Sequence, residues 1–177
     1  MVTDGETDDG RPGVTVGPGF AGAERDLVAN LYWSAFGGKL GRVMGPDRKA
    51  RRYIAKAARA DHALVARDAT GEILGVAGFK TCEGAFITVE DGPMSAVYGR
   101  VGAVWRMLAM ALLESDVDNR RFLADGIFVA PQARGKGVGT ALVEALAAEA
   151  RRRGHAELKL DVVSENTRAR ALYERLG

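Results

Sequence analysis

Phe122-Leu-Ala-Asp-Gly-Ile-Phe-Val129 is followed by Ala130 and Pro131, and then by Gln132-Ala-Arg-Gly-Lys-Gly-Val-Gly-Thr140. The first stretch is an apolar run with aromatic and branched residues, and a proline ends it, so it predicts a strand over 122–129. Beyond the glycines, Val138, Ala141, Leu142, Ala145 and Leu146 share one helical face, which predicts a helix to about Arg153. Gly154 stands where a left-handed C′ residue belongs, and Arg151, Arg152 and Arg153 suit the helix's negative end. Ala156–Val163 then alternates as a second strand, with Leu158, Leu160 and Val162 on one side. Ser164-Glu-Asn-Thr167 opens a further helix whose apolar stripe is Ala169, Leu172, Tyr173 and Leu176.

The glycine turn carries the chemical information. A helix N-terminus leaves backbone N–H groups unpaired and bears partial positive charge. Gly135, Gly137 and Gly139 remove side chains that would hold a ligand away from those groups, and Arg134 and Lys136 add charge. One glycine would serve a tight corner; three at alternate positions favour an anion site. The spacing fits neither the phosphate loop Gly-x-x-x-x-Gly-Lys-Ser/Thr nor the dinucleotide pattern Gly-x-Gly-x-x-Gly, since Thr140 follows Gly139.

Arg134-x-x-Gly137-x-Gly139 resembles the coenzyme A diphosphate motif of the GCN5-related N-acetyltransferase (GNAT) family. Asn166-Thr-Arg-Ala-Arg-Ala-Leu-Tyr-Glu-Arg-Leu-Gly177 is similar to that family's second signature, an Asn followed seven residues later by a Tyr. The two signatures stand in the family's order over about 55 residues. The resemblance implies an α/β (α+β) fold with a mixed central sheet, splayed between two parallel strands at 122–129 and 156–163 and flanked by helices. It implies acetyl-CoA as cosubstrate and acetyl transfer to a primary amine by direct attack in a ternary complex. Pantetheine would lie in the splay, paired with backbone groups of Ile127, Phe128 and Val129 as an added strand would be. Arg134, Gly135, Lys136, Gly137, Val138, Gly139 and Thr140 would hold the diphosphate, and Asn166 would reach pantetheine. A strand N–H within Ile127–Val129 would stabilise the developing oxyanion.

The same resemblance makes Tyr173 the acid that protonates the departing thiolate. The base is less direct. Several members carry a Glu on the first splayed strand, where this chain has Ala124 with Asp125 beside it. Members that acetylate ribosomal proteins use a Glu five residues before the Asn, a place Asp161 takes here. Asp125, Asp161 and a water chain all stay open as the proton's route. Family members also continue past Leu-Gly with one or two strands, and this sequence stops at Gly177. The alternative to a catalyst is an acyl-CoA-binding or sensor module that kept the turn and lost the base.

Upstream, Val14–Val16 predicts a short strand, and Leu27, Leu31 and Ala35 a helix over Gly22–Phe36. Gly37, Gly38, Gly41, Gly45 and Pro46 read as breakers before a second helix, roughly Asp47–Arg59, capped by Asp47. His62–Arg67 and Glu72–Phe79 form a hairpin across Asp68-Ala-Thr-Gly71, with His62 beginning its strand. Met94–Leu113 is apolar but interrupted by Arg100 and Arg106, too short an uncharged run for a membrane span. It reads as a buried helix, with a homodimer interface as second choice.

A chain of 177 residues suits one domain, here 14–177 after an acidic, unstructured tail at 1–13. A net charge of +2 argues against nucleic acid as partner. Eight Lys/Arg and one Asp between Lys39 and Arg59 make either a solvated helix face or a path for an anion, and they disfavour a polycationic acceptor. The acceptor is otherwise open, a small-molecule or peptide amine. The single Cys82 reads as a buried or bystander thiol, no Cys/His spacing suggests a metal, and a reducing cytoplasm fits.

Overall fold

The computed structural model describes residues 13–113 and 122–160. At its centre is a mixed sheet of order β1-β2-β3-β5-β6, with a short β4 paired to β3. β1 (Val14–Pro18), β2 (Ala63–Asp68), β3 (Ile73–Thr81) and β5 (Phe122–Val129) are antiparallel in turn; β4 is Gly84–Ala85, and β6 (Leu158–Leu160) runs parallel to β5. β5 has the bounds its sequence predicts. The β2–β3 hairpin closes as its composition dictates: Asp68 Oδ1 accepts the N–H groups of Thr70 and Glu72, each at 2.9 Å.

α4 (Val138–Arg152) covers one face of the sheet, where Val138, Leu142 and Leu146 pack with Ala77, Phe79 and Phe122. α1 (Arg25–Met44) covers the other, bringing Val28, Leu31 and Tyr32 to Val65, Val76 and Phe128. α2 (Asp47–Ala57) and α3 (Asp91–Leu113) join α1 in a second core built on Trp33, Met44, Tyr53, Ile54 and Met94. No helix among the described residues is long and apolar enough to cross a membrane.

Several expectations are corrected. α1 does not stop near Phe36 but runs through Gly37, Gly38 and Gly41 to Met44. Glycine weakens an isolated helix by only about 1 kcal/mol per position, and tertiary packing makes that up: a Cβ on Gly37 would come within 2.9 Å of Trp33 Cε2, so the large indole takes the room the glycine leaves. Asp47 is not the cap; Pro46 is, and Asp47 is the first helical residue, its carboxylate beside the positive helix end. His62 closes a 3-10 turn before β2 and is buried against Phe79, its Nε2 3.3 Å from Thr81 Oγ1. Cys82 is exposed. The cations Lys39, Arg42, Arg48, Lys49, Arg51, Arg52 and Lys56 are all exposed, a solvated face.

The largest correction concerns Met94–Leu113. Gly99 (φ 74°, ψ 165°) breaks α3 into two segments. Met94 and Ala103 are buried, but Val101 is 85% exposed, Leu108 64%, and Val104 and Trp105 lie on the same outward stripe. Their spacing of three and four residues places them on one face, which turns away from the three-helix core. α3 is anchored by Arg106, whose Nη2 donates to the Gly45 carbonyl at 3.1 Å, and by Tyr98, whose hydroxyl donates to the Met44 carbonyl. Both acceptors are carbonyls left open at the C-terminal end of α1.

Candidate active site

β5 departs from regular alternation at one residue. Gly78 and Phe79, adjacent on β3, face Gly126 and Ala124, so Asp125 is the extra residue of a β-bulge. The bulge switches the strand's parity. Phe122 and Ala124 pack toward α4, and beyond the extra residue it is Ile127 and Val129 that do so, while Phe128 faces α1. Asp125 is left exposed, with Oδ2 accepting the Ile87 N–H at 3.4 Å. Ala124, at the family's Glu place, is packed into the α4-side core and offers no functional group.

β6 pairs only with the start of β5, Phe122 to Ala124 opposite Leu158 to Leu160, among the described residues. The Ala130 N–H donates to the Leu74 carbonyl at 2.9 Å. Since main-chain groups alternate sides along a strand, Phe128 shares that orientation toward β3, whereas Ile127 and Val129 present their N–H and C=O groups to the opposite edge. Of the three strand residues expected to meet pantetheine, two therefore face away from β3 and Phe128 does not. The Val129 carbonyl on that edge already accepts Arg134 Nε at 3.3 Å.

Pro131 ends the strand and starts a 3-10 turn, Pro131–Ala133, whose buried Ala133 fixes the chain against the core. Gly135 (φ 78°) and Gly137 (φ 82°) then adopt left-handed conformations, Gly137 as the N-cap of α4. These two glycines are thus demanded by the backbone itself. Gly139 is different: it lies inside α4. A single glycine would have served a tight corner; here the corner itself uses two of the three, which leaves Gly139 as the one not required by the turn. The first turn of α4 has no side-chain cap, and its first intrahelical bond is Ala141 N–H to the Gly137 carbonyl at 3.0 Å. The amides of Val138, Gly139 and Thr140 precede that bond and have no partner within the helix. Among the described residues, a Cβ on Gly135 would meet nothing within 4 Å. Arg134 and Lys136 are exposed beside it. At the far end, Gly154 (φ 81°) is the expected C′ residue: its N–H donates to the Arg151 carbonyl and that of His155 to the Ala150 carbonyl, at 3.0 and 2.9 Å.

A helix start without a side-chain cap, beside a strand edge unpaired among the described residues, fits a ligand with a diphosphate at one end and an amide-bearing arm at the other, which is the build of coenzyme A. Ile127, Val129, Arg134, Gly135, Lys136, Gly137, Val138, Gly139 and Thr140 are brought together here, with Asp125 at the bulge. Asp161, Asn166 and Tyr173 lie outside the described residues. No cluster of three or more His, Cys, Asp or Glu placed to hold a metal occurs among the described residues.

The sequence reading missed an aromatic group on the α1 side of the bulge. Tyr32 lies 4.8 Å from Phe36 and 5.6 Å from Phe128, between ring centroids, and Phe86 lies 5.6 Å from Phe128. Burial, reinforced by the nearby Asp125 charge, pushes the Tyr32 hydroxyl well above the usual tyrosine range. The four-residue spacing of Tyr32 and Phe36 on one helix face was the available signal.

The acetyltransferase (GNAT) family profile matches residues 25–177. The streptothricin acetyltransferase of Streptomyces lavendulae is 36% identical over 83 residues, 47% of this chain and 44% of that protein. The chain thus spans less than half the length of this curated relative. Among solved structures, a histone acetyltransferase HPA2-related acetyltransferase from Corynebacterium glutamicum is 26% identical with a TM-score of 0.61, covering 93% of this chain and 84% of the other. The aminoglycoside N-acetyltransferase AAC(6')-Iy, solved with CoA, shares the fold at 18% identity and a TM-score of 0.56, covering 100% of this chain and 91% of the other. With its profile match and its sheet, turn and helix in agreement, the chain belongs to the GNAT family of acetyltransferases.

Proposed function

We propose that this chain is an acetyl-CoA-dependent N-acetyltransferase that moves the acetyl group to a primary amine by direct attack in a ternary complex. The observation that carries it is the placement of the edge of β5 turned away from β3, unpaired at Ile127 and Val129 among the described residues, beside the first turn of α4, which has no side-chain cap. In this reading the amides of α4 and the charges of Arg134 and Lys136 hold the diphosphate. The N–H groups of Ile127 and Val129 bind the pantetheine arm, and one of them faces the thioester oxygen as it gains charge. Acetyl-CoA supplies the activated acyl group and a thiolate leaving group.

A primary amine with a pKa near 10.4 is neutral in roughly one molecule per thousand at pH 7, so a proton acceptor is needed. Asp125 is the stronger choice, because the bulge lifts its carboxylate out of the strand while Ala124 is packed away. Asp161 is the alternative, and Tyr173 is the acid for the thiolate. The outward stripe of α3, centred on Val104, Trp105 and Leu108, supports a homodimer. The single exposed cysteine suits a reducing cytoplasm.

The test is a panel of amines with acetyl-CoA, read by release of free thiol and by the thermal shift CoA produces. Thiol release that depends on an added amine supports transfer. A CoA-dependent shift with no turnover on any amine would leave a coenzyme-binding module instead, and no shift at all would remove the coenzyme reading.

A further inference from the structure

We infer that Arg134 decides which thioesters this site accepts: its guanidinium occupies the edge of β5 that a pantetheine arm would use, and leaves it only when a ligand's diphosphate draws it away. The inference rests on the acetyl-transfer reading and deepens it, by naming the acyl donors that the site rejects. These are pantetheine thioesters without a diphosphate.

The contact arises from the shape of the turn. Pro131 ends β5, and the 3-10 turn Pro131–Ala133, with Ala133 buried, redirects the chain. Arg134 closes that turn, its N–H donating to the Pro131 carbonyl at 3.4 Å. Its side chain returns to Val129, five residues earlier, where Nε donates to the main-chain carbonyl at 3.3 Å. The Ala130 N–H is bonded to Leu74 on β3, so the Val129 carbonyl points away from β3. It is therefore one of the edge groups assigned to the pantetheine arm, and Arg134 takes it first. An unpaired strand edge invites any amide-bearing guest. A cation laid across its last carbonyl makes entry conditional.

The relative strengths of two bonds decide when the cation yields. The bond to Val129 is long, uses one of a guanidinium's five N–H donors and reaches a neutral oxygen. A diphosphate offers the same group full opposite charge and paired oxygens for its planar fork, a stronger partner. Arg134 is exposed, so burial does not tie it to the carbonyl. Lys136, exposed in the same turn, shares the charge but lacks the fork. A donor with a diphosphate exchanges the weaker bond for the stronger. A donor without one displaces the guanidinium uncompensated, and its affinity falls by the fraction of time the edge stands free.

The experiment measures dissociation constants, for CoA by calorimetry and for pantetheine by ligand-observed NMR, which reads weak binding. Arg134→Ala is expected to weaken CoA about tenfold and to tighten pantetheine about threefold, opposite signs from one substitution. Lys136→Ala should weaken CoA and leave pantetheine unchanged. A second measurement needs no variant. In the wild type, saturating adenosine 3′,5′-bisphosphate, which brings phosphate without the arm, should tighten pantetheine by the same factor of about threefold. That coupling should vanish in Arg134→Ala. Pantetheine binding that is not tightened in Arg134→Ala, that shows no coupling in the wild type, or that is undetectable in both proteins overturns the inference, and CoA binding by the wild type then leaves acetyl transfer standing. Absence of CoA binding by the wild type overturns both.

Discussion

The ring of Phe36 lies across the main chain of Gly126, so closely that a Cβ built on Gly126 would stand 2.7 Å from Phe36 Cζ. Gly126 directly follows the extra residue Asp125, and Phe36 in turn packs at 4.8 Å on Tyr32. Gly126→Ala is therefore expected to push the ring aside and destabilise the fold by about 1–3 kcal/mol, the usual range for overpacking. Denaturant unfolding of Gly126→Ala, Phe36→Ala and the double variant checks it. The double variant should be more stable than the sum of the single effects predicts, and strict additivity would mean that the two groups do not touch.

The glycines of the turn should separate into two kinds. Gly135→Ala places a side chain at φ 78°, with no neighbour within 4 Å to clash. It should destabilise by about 1–2 kcal/mol through backbone strain alone. Gly139→Ala carries no such demand, since Gly139 is helical. Its expected signature is a raised KM for acetyl-CoA, the outcome that follows if the diphosphate rests on the amides of this turn. Thermal melts with and without CoA read both effects.

Asp125→Asn should lower kcat roughly 100-fold or more at neutral pH, the loss typical of a removed general base. The KM for acetyl-CoA should stay near wild type. The amide oxygen can still accept the Ile87 N–H, so the bulge is preserved. If Asp125→Asn retains turnover and Asp161→Asn loses it, the base is Asp161. Tyr173→Phe belongs in the same series and should lose turnover while keeping the thermal shift by CoA.

Glu24 gives a pH dependence with a defined sign. Its carboxylate accepts Arg67 Nη2 at 2.9 Å and the Ala21 N–H at 2.7 Å. The Arg67 bond, more than the Ala21 bond or the Arg67 charge itself, holds the Glu24 pKa at about 2, against an ordinary 4.5. A carboxyl depressed in the folded state stabilises it above the unfolded pKa, and that stability is lost as pH falls toward the folded value. Wild type should thus lose about 1–2 kcal/mol more than Glu24→Gln between roughly pH 5 and pH 2, a figure reduced for the pair's partial exposure. Chemical denaturation of both proteins across that range is the measurement, and parallel pH curves would contradict it.

Arg106 tests how α3 is held. Its guanidinium lies 4.0 Å from the Tyr98 ring centre and 4.6 Å from that of Trp105, and it also donates to the Gly45 carbonyl. Arg106→Lys keeps the charge but not the flat surface, and should still destabilise the fold by about 1 kcal/mol. A wild-type melting temperature for Arg106→Lys would show that charge alone anchors the helix.

The parts of this fold that follow local rules were legible from the residues. The strand at 122–129, the helix beginning at Val138 and its Gly154 stop depend on alternation, helical spacing and a left-handed glycine, all of which act over a few positions. The errors arose where distant packing decided the outcome. Gly37 reads as a breaker until Trp33 is known to lie against it, and Met94–Leu113 reads as one buried helix until Gly99 breaks it and its outer stripe is seen. In the site, the glycine corner was legible, but the bulge was not. A strand with one extra residue has the same letters as one without, and only its partner strand reveals that Asp125 has been set aside.

The side chains of the three-helix core come from residues 29–110, and the corner proposed for the coenzyme from 127–140, two stretches that do not overlap along the chain. They meet at the bulge: were Asp125 paired into the ladder instead of set aside, Ile127 and Val129 would turn out of the α4-side core and Phe128 into it. The phase of the far half of β5 is thus set by whether one residue stands in the ladder or beside it, and both faces of the sheet depend on that choice.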